Sequence, residues 1–111
     1  MSSVLSFTPE GITLTVEGVI LVEGYQPARP VTRHPGEFLR TYREPLEQAA
    51  YLEMYTQKLT AARSEARTRY FTARGDAEAK LAWKKACRSL ERAQGVRDDY
   101  RSRVRALLSL L

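Results

Sequence analysis

The residues best suited to chemistry in this chain are few and badly placed for catalysis. His34 is the only histidine and Cys87 the only cysteine. Neither has a serine, carboxylate or further ligand at a spacing that would activate a nucleophile or close a metal set. Asp98 and Asp99 are adjacent, so on a helix their carboxylates diverge by about a quarter turn and do not converge on one substrate atom. No glycine-rich phosphate loop is present, and Arg74-Gly75-Asp76 is accounted for by turn chemistry, with Gly75 past one helix end and Asp76 capping the next. The expectation is a protein that is not an enzyme and carries no cofactor or metal.

One pattern does offer binding chemistry. Between residues 63 and 92 the chain places Arg63, Arg67, Arg69, Arg74, Lys80, Lys84, Lys85, Arg88 and Arg92 against only Glu65, Asp76, Glu78 and Glu91, an excess equal to the whole net charge of +5. Arg63 and Arg67 are one helical turn apart, as are Lys80 with Lys84 and Lys84 with Arg88, and Tyr70, Phe71 and Trp83 lie among them. Such a strip suits phosphates or an acidic protein. Arg63, Arg67, Arg74, Lys80, Lys84, Lys85 and Arg88 are the candidate contact residues.

Two apolar ladders position this strip. One runs through Leu52, Tyr55, Leu59, Ala62, Ala66 and Ala73, the other through Trp83, Ala86, Leu90, Ala93, Tyr100, Val104 and Leu107. Their residue numbers pair to a near-constant sum of 148 or 149 (66 with 83, 62 with 86, 59 with 90, 55 with 93), as antiparallel helices folded about a turn near Gly75 require. In this register Leu59 and Leu90 face each other, and Asp at either site is expected to unfold the helices. Pro45 predicts a break or kink at 44–45. Gly95 falls on the outer face.

The first quarter reads as strands. Ile12 to Val16 alternates apolar and hydroxyl side chains, while Val19-Ile20-Leu21-Val22 is apolar on both faces and predicts a strand covered on two sides. Glu-Gly at 10–11, 17–18 and 23–24 closes each run, giving a meander of two or three strands. Gln26 to Pro30 is an extended connector. The four leucines at 107, 108, 110 and 111 predict a C-terminal end covered all round.

The fold expected is therefore α+β: a small N-terminal β-meander and proline-containing connector (1–33), packed on the base of a long, coiled-coil-like antiparallel helical hairpin (34–111). Val19, Ile20, Leu21, Val22, Tyr51, Met54 and Phe71 exceed what so thin a chain covers, which predicts a homo-oligomer. The function expected is a non-enzymatic protein–protein interaction module, in the manner of an assembly or inhibitor protein of a virus or mobile element. Its partners are itself and an acidic protein, and the alternative is nucleic-acid binding through the basic tip. No stretch reaches the ~18 apolar residues of a membrane span, and Met1 to Leu5 lacks the basic start of a leader, so a cytoplasmic location without membrane partners is expected.

Overall fold

A computed structural model describes residues 3–111; Met1 and Ser2, where the leader reading began, lie outside them. The chain is α+β. Strands β1 (Ser3–Thr8), β2 (Gly11–Val16) and β3 (Val19–Tyr25) form an antiparallel sheet in the order β1-β2-β3. A short helix α1 (Pro35–Thr41) leads into α2 (Arg43–Thr72) and α3 (Ala77–Leu108), which fold back on each other. The molecule is a rod of 61 × 26 × 24 Å, with the sheet at one end and the helical turn at the other.

Local chemistry explains most of these elements. Glu17 and Gly18, both at positive φ (52° and 77°), make the two-residue reversal between β2 and β3, a backbone shape whose twist matches the flanking strands. The third Glu-Gly pair does not end its strand. Gly24 (φ 71°) lies inside β3, where the ladder slips between the Ile12–Tyr25 and Leu14–Val22 pairs.

A second slip corrects the doubly covered strand. Leu14 pairs with Val22 but Thr15 with Ile20, leaving Leu21 unpaired in a bulge. The bulge turns Leu21 toward the core together with Val19 and Val22, so only Ile20 faces outward, and it is 57% exposed. The apolar run reflects a bulge that brings extra side chains to one face.

The core lies where the sheet meets the hairpin base. Leu14 and Val16 of β2, Phe38 of α1, Leu46 of α2, and Val104 and Leu108 of α3 are all essentially inaccessible and belong to one cluster. Each such side chain contributes about 1.5–3 kcal/mol on burial. The C-terminal leucines divide: Leu108 and Leu111 are buried, Leu107 packs at the margin, and Leu110 is 54% exposed, so the end is covered on one side only. The Leu111 carbonyl accepts from the amides of Thr32 and Arg33 at 2.8 and 2.9 Å, fastening the connector.

His34 caps α1, its Nδ1 accepting from the Gly36 amide at 3.1 Å, with Pro35 in the first helical position. The helix break falls at Tyr42 (φ −107°, ψ 23°), two residues before the expected 44–45. Pro45 cannot donate to the Thr41 carbonyl and its ring would crowd it, so the chain breaks one turn upstream. Pro45 then occupies the first turn of α2, where no intrahelical N–H is needed.

The helical reversal spans residues 73–76, with Gly75 at φ 88° and the Asp76 carboxylate accepting from the Glu78 amide at 3.0 Å. Cross-helix contacts of long side chains pair Tyr70 with Trp83 and Glu53 with Arg101, whose numbers sum to 153 and 154. The turn falls at Gly75 as expected, whereas these pair sums exceed the expected 148 or 149 by four to six. Side chains lean toward their own helix's N-terminus, and in an antiparallel pair this makes each reach a later-numbered partner.

The ladder itself shifts on α2: Tyr55 and Ala62 are exposed, and Thr56, 3% exposed, points inward with its hydroxyl donating to the Leu52 carbonyl. The offset is constant along the helix: Leu52, Leu59, Ala66 and Ala73 stay partly buried, and the second covered row runs through Ala49, Thr56 and Tyr70, in multiples of seven. Gly95 continues the helix, and a Cβ there would meet nothing within 4 Å. Gly95→Ala is expected to stabilise by about 0.5–1 kcal/mol, raising Tm by roughly 2–6 °C in a thermal melt.

Candidate functional site

Two surfaces on the hairpin gather the residues singled out above. The first is the tip. Between residues 57 and 89 only Ala79 is fully buried, so two helices stand here with little beneath them. Their contact is held by aromatic rings: Tyr70 stacks on Trp83 at 5.3 Å between centroids, and Phe71 meets Tyr70 edge-on at 5.4 Å and lies 6.2 Å from Trp83. The Arg67 guanidinium sits 5.5 Å from the centre of the Phe71 ring. Phe71 stays 50% exposed.

These residues border a shallow groove of about 290 Å³, lined by Arg63, Ser64, Arg67, Phe71, Trp83 and Cys87. Lys80 is three residues from Trp83 and Lys84 three from Cys87, so helical spacing brings both to the α3 wall of this flank. Of the expected contact residues, Arg63 and Arg67 line the groove itself, and Lys80 and Lys84 fall on its α3 flank by helical spacing. Arg88 follows one turn beyond Lys84 toward the outer surface, Arg74 stands in the reversal, and Lys85, two residues from Trp83, projects on the opposite flank. All seven are exposed. Neither Ser64 nor Cys87 was expected from the sequence to line a binding surface; a place on a groove wall has no signature beyond its spacing.

The charges are distributed unevenly along the rod. Among the described residues the ion pairs are Arg43–Glu47, Arg97–Asp98 and Arg101 with Glu53 and Asp98, all in the base half. Arg101 donates from Nε and Nη2 to both carboxylate oxygens of Glu53, the second at 2.9 Å, and this hydrogen bonding raises its pKa above the ordinary arginine value. None of the nine cations between 63 and 92 takes part in an ion pair among the described residues. The tip's excess positive charge faces solvent unneutralised.

The second surface lies midway along the hairpin. Tyr51 and Tyr55 stack in parallel at 5.9 Å, 58% and 41% exposed, and Val96 on α3, 46% exposed, shares a groove with Tyr55. Leu52, Tyr55, Ser89, Arg92, Ala93 and Val96 line a groove of about 330 Å³. Met54 is exposed on the outer side of α2. The oligomer residues expected from sequence are therefore scattered. Val22 is buried in the chain's own core, Val19 and Leu21 pack at its margin, Ile20 is on the outer sheet face, and Phe71 belongs to the tip, roughly 24 Å along the helix from Tyr55.

Among the described residues no group of three or more His, Cys, Asp or Glu side chains is placed to hold a metal, and no helix is long and apolar enough to cross a membrane. Comparison with protein-family models, with curated proteins and with solved structures finds no match to this chain.

Proposed function

We propose that this protein is a non-enzymatic interaction module that works as a homo-oligomer and offers its basic tip to an anionic partner. The observation that carries the reading is the exposed Tyr51–Tyr55–Val96 strip on a stretch of hairpin only two helices thick. A two-helix pair buries one stripe of each helix, and an aromatic strip left beside that stripe gains most by meeting a second copy. Isologous pairing would bury both strips at once and close the assembly.

Light scattering on the purified chain tests this. A mass of at least twice 12.6 kDa at micromolar concentration is expected. Tyr51→Glu with Tyr55→Glu is expected to return the protein to monomer without loss of helicity, because both side chains are exposed in the single chain. A monomeric wild type, or a double variant that still associates, overturns the reading.

A further inference from the structure

We infer that the tip groove binds the phosphate backbone of a single-stranded nucleic acid, with Phe71 as a stacking platform. The inference rests on the tip being a contact surface, and it names the anionic partner. Helical spacing sets Arg63 and Arg67 on α2 and Lys80 and Lys84 on α3 as two rows on one flank, each stepping about 6 Å over four residues. The helix axes that carry such rows stand roughly 8–10 Å apart, so one extended strand lying over the groove is within reach of both rows. No carboxylate neutralises these cations among the described residues. The Ser64 hydroxyl on the groove wall adds a neutral donor.

Two observations favour a nucleic acid over an acidic protein segment. A peptide needs an apolar pocket to receive an anchoring side chain. Here Trp83 is already stacked by Tyr70, and the groove is shallow and open, with no enclosed site for such a side chain. Phosphate contacts need only the cations. The Phe71 ring carries the Arg67 guanidinium over it and is still half-exposed, which leaves aromatic surface on which a base can stack next to a cation. The geometry also speaks against groove reading in a duplex. Two helices of ~10 Å each make a tip of ~20 Å, wider than the ~12 Å major groove, so little sequence preference is expected.

Fluorescence anisotropy with labelled oligonucleotides of about 20 nucleotides tests the inference on the full chain. Saturable binding of the single strand at about 150 mM salt is expected, with log affinity falling against log salt at a slope near −3 for four phosphates contacted. Changing Arg63, Arg67, Lys80 and Lys84 together to Gln should weaken binding by at least about tenfold, whereas Lys85→Gln with Arg69→Gln, the latter two residues and so about 200° round α2 from Arg67 and Phe71, should change it less than about threefold. Phe71→Ala should weaken the single strand by about fivefold or more and leave duplex binding unchanged. Circular dichroism on the same samples checks that each variant is folded.

Equal losses from the two flanks would overturn the groove assignment. Duplex binding as tight as single-strand binding and indifferent to Phe71 would overturn the choice of strand. Failure of both oligonucleotides to bind, in a sample that light scattering shows to self-associate, overturns this inference alone. It would leave the interaction-module reading standing, with an acidic protein as the tip's partner.

Discussion

Leu90→Asp is expected to unfold the hairpin. Leu90 is 1% exposed and is the last buried residue of α3 before the thin tip, so its replacement puts a carboxylate at a fully covered position in the middle of the rod. Truncating a buried leucine alone costs about 2–5 kcal/mol. An unpaired carboxylate adds several more, and the whole domain is stabilised by only about 5–15 kcal/mol. Far-UV circular dichroism should therefore show most helicity lost at neutral pH. Part of it should return on acidification, because a protonated carboxyl is cheaper to bury.

The same change at Leu59 should be milder, contrary to the symmetric effect expected from the ladder. Leu59 is only partly buried, so a carboxylate there can keep contact with water and should cost roughly 1–3 kcal/mol. Leu81→Asp, at a residue 54% exposed, should cost no more than about 0.5 kcal/mol. The order Leu90, Leu59, Leu81 in urea midpoints checks the packing. A fully helical Leu90→Asp variant would show that α2 and α3 do not meet there.

Gly11→Ala is expected to be the most damaging single-methyl change in the sheet. Gly11 opens β2 at φ 127°, a region L-residues rarely enter, and a Cβ there would stand 2.7 Å from the Gly24 carbonyl carbon and 2.8 Å from the Tyr25 carbonyl oxygen. Both are backbone atoms of the neighbouring strand. They cannot swing away as a side-chain tip would, so β2 and β3 must separate or Gly11 must change its backbone shape. A loss of about 3 kcal/mol or more is expected from strain and clash together.

Gly24→Ala provides the comparison. It has positive φ (71°) but its nearest neighbour, the Glu10 carbonyl oxygen, is 3.6 Å away, an ordinary contact. Only the left-handed backbone penalty of about 1–2 kcal/mol remains. Urea denaturation of the two variants separates clash from conformation; equal midpoints would mean the strands are not in this close register.

The sequence by itself determined the features that depend on neighbours along the chain. Gly75 and Asp76 set the helical reversal because positive φ and capping are properties of single residues in a turn. Glu17-Gly18 set the β2–β3 hairpin, Pro45 forbade an unbroken helix, and the cation spacing gave the basic rows on α2 and α3. The sheet's seat on the hairpin base was legible too, because apolar residues pointing in several directions near residue 108 needed cover.

Only the tertiary structure decided what depends on contacts between distant residues. The bulge at Leu21 appears when β2 fixes the register of β3, and a one-residue slip changes which face a side chain joins. Thr56 rather than Tyr55 is buried because the rotation of α2 against its neighbours sets which of two adjacent residues is covered, and its hydroxyl tolerates burial by bonding within its own helix. The flank that gathers Arg63, Arg67, Lys80 and Lys84 follows from how the two helices are rotated about their axes, which charge spacing does not encode. The Thr32 and Arg33 amides find the Leu111 carbonyl across nearly the whole chain. No local period announces such a pairing, because its stability comes from the core that brings both segments to one end of the rod.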